Sequence, residues 1–162
     1  MILTLKWPQG INKTFSQHAA AQNATIFYYI VLFLLALPIL YLFFYKYFVP
    51  HYQLSNVVLY LVASSTLAQI ACTFVPETGG VKTLIHQLFA RVSGALLIAV
   101  IVCSIVASTI SSFDKIIMGA CLAIMLLILG LVIVWKRSPL PQLLLQAAYY
   151  GVFFGAIIFA TF

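Results

Sequence analysis

Five apolar runs, each long enough to cross a lipid bilayer, constrain this chain more than any other feature of its sequence. A hydrocarbon core of about 30 Å needs about 20 helical residues, and every backbone polar group within it must be bonded inside its own segment. The runs therefore predict an all-α fold, a polytopic transmembrane helical bundle with about five spans. The predicted spans are residues 26–49, 54–75, 84–110, 116–135 and 142–162.

Composition excludes a water-soluble fold. Of the 162 residues, 65% are apolar and 6% are charged, and the mean hydropathy is +1.16. A soluble domain carries roughly a quarter charged residues. The sequence predicts one bundle, residues 26–162, preceded by an N-terminal interfacial segment, residues 1–25. Trp7 would anchor this segment, and a helix from Thr14 onward is one option for it.

Basic residues are divided unequally between the two sides of the five predicted spans. Six lie on the N-terminal side and two on the other: Lys6, Lys13, Lys82, Arg91, Lys136 and Arg137 against Lys46 and Lys115. The positive-inside rule then predicts a multi-pass protein of the cell membrane, inner or plasma, with a cytoplasmic N-terminus and an outside C-terminus. The net charge of +6 is interpreted as a topology signal, so no nucleic-acid partner is expected.

A cluster of polar residues at one membrane face is the first candidate site, because ionisable groups are costly near a bilayer. Glu77, His86, Arg91 and His18 are predicted to share that face. His18, Glu77 and His86 are borderline ligands suited to zinc or iron. No spacing motif supports a metal site or a haem pair, so we expect no cofactor. The alternative is structural, with Glu77 paired to Lys82 or Arg91 and His86 hydrogen-bonded between helices.

A polar stripe within the spans is the second candidate. Ser65 and Gln69 share a face of the second span, and Ser104 and Ser108 share a face of the third. Facing each other, they would line a polar path for a transporter or channel. The other interpretation is a set of interhelical hydrogen bonds. The cysteines lie inside apolar runs and are predicted to be small buried hydrophobic residues: Cys72, Cys103 and Cys121.

The fifth span carries small residues at four-residue intervals, Ala147, Gly151 and Gly155. This small-xxx-small pattern allows two helix backbones to approach closely. The contact would lie within the bundle or against a second copy, so a homo-oligomer or a larger membrane complex stays open.

Residues 73–96, TFVPETGGVKTLIHQLFARVSGAL, resemble a segment of the prokaryotic multi-pass membrane family of unknown function 998, which is itself similar to the DRAM and Sfk-like membrane proteins. The shared features are an aromatic-Pro-acidic turn, here Phe74, Pro76 and Glu77, and an apolar-His pair, here Ile85 and His86. Residues 15–33 resemble the polar segment before the second helix of a six-helix member. The resemblance implies a small helical bundle, and its eukaryotic relatives imply roles around membrane lipids.

The leading hypothesis is a non-enzymatic, lipid-associated or accessory helical bundle whose partners are membrane lipids. No constellation for acid–base or nucleophilic catalysis is visible in the sequence. A small transporter or channel and a metal-dependent membrane enzyme are the alternatives.

Overall fold

The structure, a computed structural model, describes residues 13–20, 23–75, 77–134 and 141–161. In the described parts of the chain every regular element is helical. The short helix α1 (Phe15–Ala19) is followed by α2 (Asn23–Phe43), which continues through a π-helical turn (Phe44–Phe48) and a last turn (Val49–His51). The remaining helices are α3 (Asn56–Phe74), α4 (Gly80–Val106), α5 (Ser112–Val134) and α6 (Gln142–Phe159).

Five of these helices are long and apolar enough to cross a membrane, which confirms the prediction of an all-α bundle with five spans. α3 and α4 form the most extensive helix pair, and α5 packs mainly on α6. α2 packs on α3, and α4 joins the two pairs by contacting α5. Short connections make neighbouring helices antiparallel. α1, residues 77–79 and the start of α6 therefore lie at one end of the bundle, here named the α1 end, and the opposite end is named the far end.

The apolar core fills the far half of the bundle. It takes residues from all five spans, and the fully buried ones are Phe44, Phe48, Val58, Val62, Val100, Ile101, Met118, Met125, Phe153 and Ala156. The rings of Phe44 and Phe153 stack with centroids 6.4 Å apart, which joins α2 to α6. The α1 half contains most of the buried polar side chains instead, as described below.

The first span contains a π-helical turn near its end and stays helical to His51. The sequence instead predicts that the helix stops before Pro50 and His51. Pro50 has no N–H to donate, and in a regular α-helix its ring would meet the carbonyl of Lys46, four residues earlier. The wider turn at Phe44–Phe48 lies over this position, and the helix continues to His51. π-Turns of this kind are rare single-turn insertions in α-helices.

α4 begins and ends four residues earlier than the apolar run suggests. At its start, Gly79 and Gly80 have φ values of 109° and 57°, a backbone region that favours glycine. The Gly79 N–H donates to Thr83 Oγ1 over 2.8 Å, so a polar turn precedes the apolar part of the helix. At its end, Ala107 turns to an extended conformation, which leaves Ser108 outside the helix.

Several residues that define the predicted spans, their charges and their turns lie outside the described residues. They are Lys6, Trp7, Pro76, Trp135, Lys136 and Arg137.

Candidate functional site at the α1 end

The carboxylate of Glu77 is the centre of the polar cluster at the α1 end. Its Oε2 accepts hydrogen bonds from the hydroxyls of Thr14 and Ser16, each over 2.8 Å. Its Oε1 accepts from the side-chain amides of Gln17 at 3.2 Å and Gln87 at 3.3 Å. An ionised carboxylate is an acceptor with about four lone-pair sites, and these contacts match that capacity. Glu77 thus fastens α1 to the start of α4.

α1 is shaped for this contact by its own N-terminus. Thr14 caps the helix with a reciprocal capping box: its hydroxyl accepts from the Gln17 N–H at 3.2 Å, and Gln17 Oε1 accepts from the Thr14 N–H at 3.1 Å. The Phe15 N–H donates to Gln146 Oε1 of α6 over 2.9 Å. Ser16, His18 and Ala19 are buried. The helix therefore lies packed across the end of the bundle, tied to both α4 and α6.

His86 crosses from α4 to the end of α3. Its Nδ1 lies 2.7 Å from the carbonyl oxygen of Val75 and 3.0 Å from that of Cys72. Because both neighbours are acceptors, we assign the imidazole proton to Nδ1. His86 is thus held by backbone carbonyls, as in the structural interpretation of the sequence.

The thiol of Cys72 packs on the ring of His86. Its Sγ is 3.4 Å from Nδ1 and 3.3 Å from Nε2. An atom nearly equidistant from both ring nitrogens lies over the ring face, because an atom on the in-plane axis of the Nε2 lone pair would be much farther from Nδ1. The contact is therefore a sulfur–ring contact.

Arg91 stands apart from this cluster. Its side chain is exposed, and among the described residues the one hydrogen-bond contact of Nη2 is with Oε1 of Gln87, at 3.5 Å. Lys82 and Lys13 are exposed at the same end. In the described residues, the four donors to Glu77 are neutral, and neither Lys82 nor Arg91 is among them. The structure thus brings Glu77 together with Gln87 and α1, places His86 one layer deeper, and leaves the cations at the surface.

The polar stripe is divided among several helix contacts. Ser65 Oγ lies 3.0 Å from Ser93 Oγ and 3.1 Å from the Ser93 carbonyl oxygen, which joins α3 to α4. Gln69 Oε1 accepts from the Tyr150 hydroxyl of α6 over 3.3 Å. Ser104 Oγ donates to the Val100 carbonyl of its own helix at 2.9 Å. Ser65 therefore meets Ser93 and not Ser104, and Ser108 is exposed in the turn after α4.

The small residues of α6 face away from the other helices. Ala147 and Gly151 are exposed, and a Cβ added at Gly151 or Gly155 would meet nothing within 4 Å. By contrast, a Cβ at Gly94 would meet the Tyr149 hydroxyl at 3.5 Å, and that hydroxyl donates to the Gly94 carbonyl over 2.7 Å. In the described bundle, α6 approaches α4 through Tyr149 and not through its small-residue stripe.

A second, smaller polar contact lies at the far end. The Thr109 hydroxyl donates to the Tyr52 carbonyl, and Ser111 Oγ donates to Asp114 Oδ2 over 2.6 Å. Burial, and after it the negative charge of Asp114, raise the pKa of the Tyr52 hydroxyl. These bonds close the turns after the first and third spans.

Sequence reasoning missed the partners of Glu77 and the position of Tyr29 beside Ser16, Cys72 and His86. The Thr14-to-Gln17 spacing is a capping-box signal that could have located α1. Tyr29, 7% exposed, faces Ser16, Cys72 and His86 around a small cavity. No sequence pattern could have found this juxtaposition, because it depends on how α1 folds back over α2 and α3.

Comparison with protein-family models, with curated proteins and with solved structures gives no match. The resemblance of residues 73–96 to family 998 therefore stays a prediction.

Proposed function

We propose that this chain is a non-enzymatic, lipid-associated membrane bundle that holds anionic phospholipid headgroups at its α1 end. The observation that carries the proposal is the separation of charge at this end. The carboxylate of Glu77 is occupied by hydroxyl and amide donors, while the side chains of Lys13, Lys82 and Arg91 are exposed. The cations are therefore available to an external anion.

The length of α4 supports a headgroup as that anion. Its 27 residues correspond to about 40 Å of helix, whereas the hydrocarbon core is about 30 Å thick. The first turns of α4 thus extend beyond the hydrocarbon, and the Arg91 guanidinium can reach the headgroups along its alkyl stem. Lys82, nine residues earlier, would lie at or above the phosphates.

The charge count of the sequence assigns the α1 end to the cytoplasmic side of a cell membrane. Anionic lipids of that leaflet attract basic side chains near the surface by about 1 kcal/mol each, which is about fivefold in binding. Three exposed cations would favour anionic over zwitterionic lipid without recognising one particular headgroup.

Lipid retention by the purified chain tests the proposal. The protein is reconstituted in nanodiscs with equal amounts of phosphatidylglycerol and phosphatidylcholine, and the lipids that stay bound are counted by native mass spectrometry. We expect preferential retention of phosphatidylglycerol, and we expect Lys82→Gln combined with Arg91→Gln to lower it by about fivefold per charge removed.

The far end provides a matched control. Lys46 is exposed there, with its Nζ 4.9 Å from the ring centroid of Tyr45, and Lys115 is partly buried. Lys46→Gln combined with Lys115→Gln removes the same charge from the other face and should change retention much less. Equal retention of the two lipids, or equal losses in the two double variants, would contradict the proposal.

The two alternatives have less support. A polar path would be lined by Ser65, Gln69 and Ser104. Their hydrogen bonds are instead made to Ser93, Tyr150 and Val100, respectively. A metal-dependent enzyme would use Glu77, whose oxygens already accept from donors of α1 and α4, and His86, whose Nδ1 faces two carbonyls. No specific contact among the described residues favours either function.

A further inference from the structure

We propose that α1 regulates the availability of Arg91 to anionic lipid. While α1 is docked, its side chains occupy the carboxylate of Glu77. When α1 undocks, Glu77 pairs with Arg91 and withdraws this cation from the headgroups. The inference rests on the proposed function, because it concerns the regulation of the same exposed cations. By thermodynamic linkage, anionic lipid would in turn favour the docked position of α1.

Glu77 is the acidic side chain that can compete with a lipid phosphate at this end of the bundle. The chain has two acidic residues, Glu77 and Asp114. Asp114 lies at the far end, where its carboxylate accepts from Ser111. The state of Glu77 alone therefore determines whether a cation of the α1 end is neutralised by an acidic side chain or left to an external anion.

α1 and its cap supply most of the donors that occupy this carboxylate. The hydroxyls of Thr14 and Ser16 donate to Oε2, each over 2.8 Å, and the Gln17 amide donates to Oε1 over 3.2 Å. Among the described residues, the remaining donor is the Gln87 amide of α4, at 3.3 Å. Undocking would thus remove three of the four bonds to Glu77 and leave an ionised carboxylate short of donors.

Arg91 is placed to replace α1 as the partner of Glu77. Its Nη2 lies 3.5 Å from Gln87 Oε1, and Gln87 Nε2 lies 3.3 Å from Glu77 Oε1. The guanidinium and the carboxylate therefore contact the two ends of one amide group. Because the Arg91 side chain is exposed and long, rotation about its bonds brings the guanidinium past this amide to the carboxylate, with which it forms charge-assisted hydrogen bonds.

The two partners of Arg91 are of similar strength. An exposed ion pair and the attraction of one cation to an anionic lipid surface each contribute up to about fivefold in binding. Occupation of Glu77 by α1 is therefore enough to shift Arg91 from one partner to the other.

Undocking α1 in the full chain tests the inference, in nanodiscs with equal amounts of phosphatidylglycerol and phosphatidylcholine. Thr14→Val, Ser16→Ala and Gln146→Leu are combined, because together they remove bonds of α1 to Glu77 and to α6. Faster amide hydrogen exchange in residues 15–20, with unchanged exchange in the far core, shows that α1 has undocked from a folded bundle. We expect retention of phosphatidylglycerol to fall by up to about fivefold, the contribution of one cation.

Two matched backgrounds identify the cation that is withdrawn. In an Arg91→Gln background Glu77 has lost the proposed partner, so undocking should leave retention unchanged. Lys82→Gln removes the same charge, but the described contacts do not link Lys82 to Gln87 or Glu77. Lys82→Gln lowers retention by itself, and undocking in this background should lower it further, as it does in the wild-type background.

The reverse effect of lipid on α1 is a second measurement. Because coupling between two equilibria is reciprocal, phosphatidylglycerol nanodiscs should slow exchange in residues 15–20 relative to phosphatidylcholine nanodiscs. The factor should be similar to the loss of retention on undocking. Arg91→Gln should abolish this difference, and Lys82→Gln should preserve it.

Unchanged retention in the undocked triple variant would overturn the inference, as would equal losses in the Arg91→Gln and Lys82→Gln backgrounds. Exchange in residues 15–20 that stays slow in the triple variant would also overturn it, because the bonds removed would not be those that hold α1. If the wild-type chain retains the two lipids equally, the proposed function fails. Preferential retention of phosphatidylglycerol that does not respond to α1 supports the proposed function and removes only this inference.

Discussion

The two halves of the bundle are held together by different interactions, and α3 contains both. In the far half it presents Val58 and Val62 to an apolar core. In the α1 half the same face presents Ser65, Gln69 and Cys72, which contact α4 and α6 through hydrogen bonds and a sulfur–ring contact. The change occurs within one turn of one helix.

This difference suggests a division of roles. In lipid, helices gain little from leaving the bilayer, so close packing and hydrogen bonds provide the association. Packing in the far half depends on the complementary shapes of apolar side chains that are fully buried. Hydrogen bonds in the α1 half are directional and fix the positions of α1, Glu77 and His86. We therefore expect stability to depend mainly on the far half and ligand binding on the α1 half.

The largest expected effect is on the far core. Phe153 is fully buried and stacks on Phe44, so Phe153→Ala leaves a cavity in the apolar core. We expect a loss of about 3 kcal/mol of unfolding free energy, measured by titration with a denaturing detergent. Phe159→Ala is the matched control, since Phe159 is 67% exposed and should cost little. Similar losses in both variants would mean that the far half is not a packed core.

The next effect should be confined to the α1 half. Glu77→Gln keeps the size of the side chain but replaces one acceptor oxygen by a donor, which cannot accept from Thr14 and Ser16. Losing these charge-assisted bonds should cost about 2 kcal/mol locally. Amide hydrogen exchange in residues 15–20 should then become about 30-fold faster, while exchange in the far core stays unchanged.

Asp114 provides the control for that change, because it and Glu77 are the chain's only acidic residues. Its carboxylate accepts from Ser111 at the far end, and Asp114→Asn should leave exchange in α1 unaffected. If Glu77→Gln accelerates exchange throughout the bundle, the two halves are a single cooperative unit and the proposed division of roles fails.

The sequence predicts the five spans well and the candidate site only in part. Long apolar runs determine the number of helices, because a backbone in hydrocarbon has almost no other way to bond its polar groups. The same runs misplace both ends of α4. The start is misplaced because a helix can begin in polar residues such as Lys82 and Thr83. Polar residues near one face pointed to Glu77 and His86. The partners of Glu77 in α1 are more than 50 positions away in sequence, at contacts that only the folded backbone defines.

A smaller effect is expected for the Ser65–Ser93 contact. The hydroxyls lie 3.0 Å apart between two helices, yet such bonds in membranes average about 0.6 kcal/mol because the separated helices also find partners. A double-mutant cycle of Ser65→Ala and Ser93→Ala, followed by detergent-induced unfolding, should give a coupling energy of about this size. A coupling energy above about 2 kcal/mol would mean that the polar half contributes strongly to the stability of the bundle, against the proposed division of roles.

The smallest expected effect is on the outer face of α6. A methyl group at Gly151 meets no atom within 4 Å, and alanine is a better helix former than glycine by up to about 1 kcal/mol. Gly151→Ala should therefore leave the bundle as stable as the wild type or slightly more so. A single copy gives no steric reason for glycine here, whereas a second helix packed on Ala147, Gly151 and Gly155 would exclude larger side chains. Gly151→Leu distinguishes the two cases: unchanged mass in light scattering would mean that lipid covers this face, and dissociation of a wild-type dimer would mean that a second copy does.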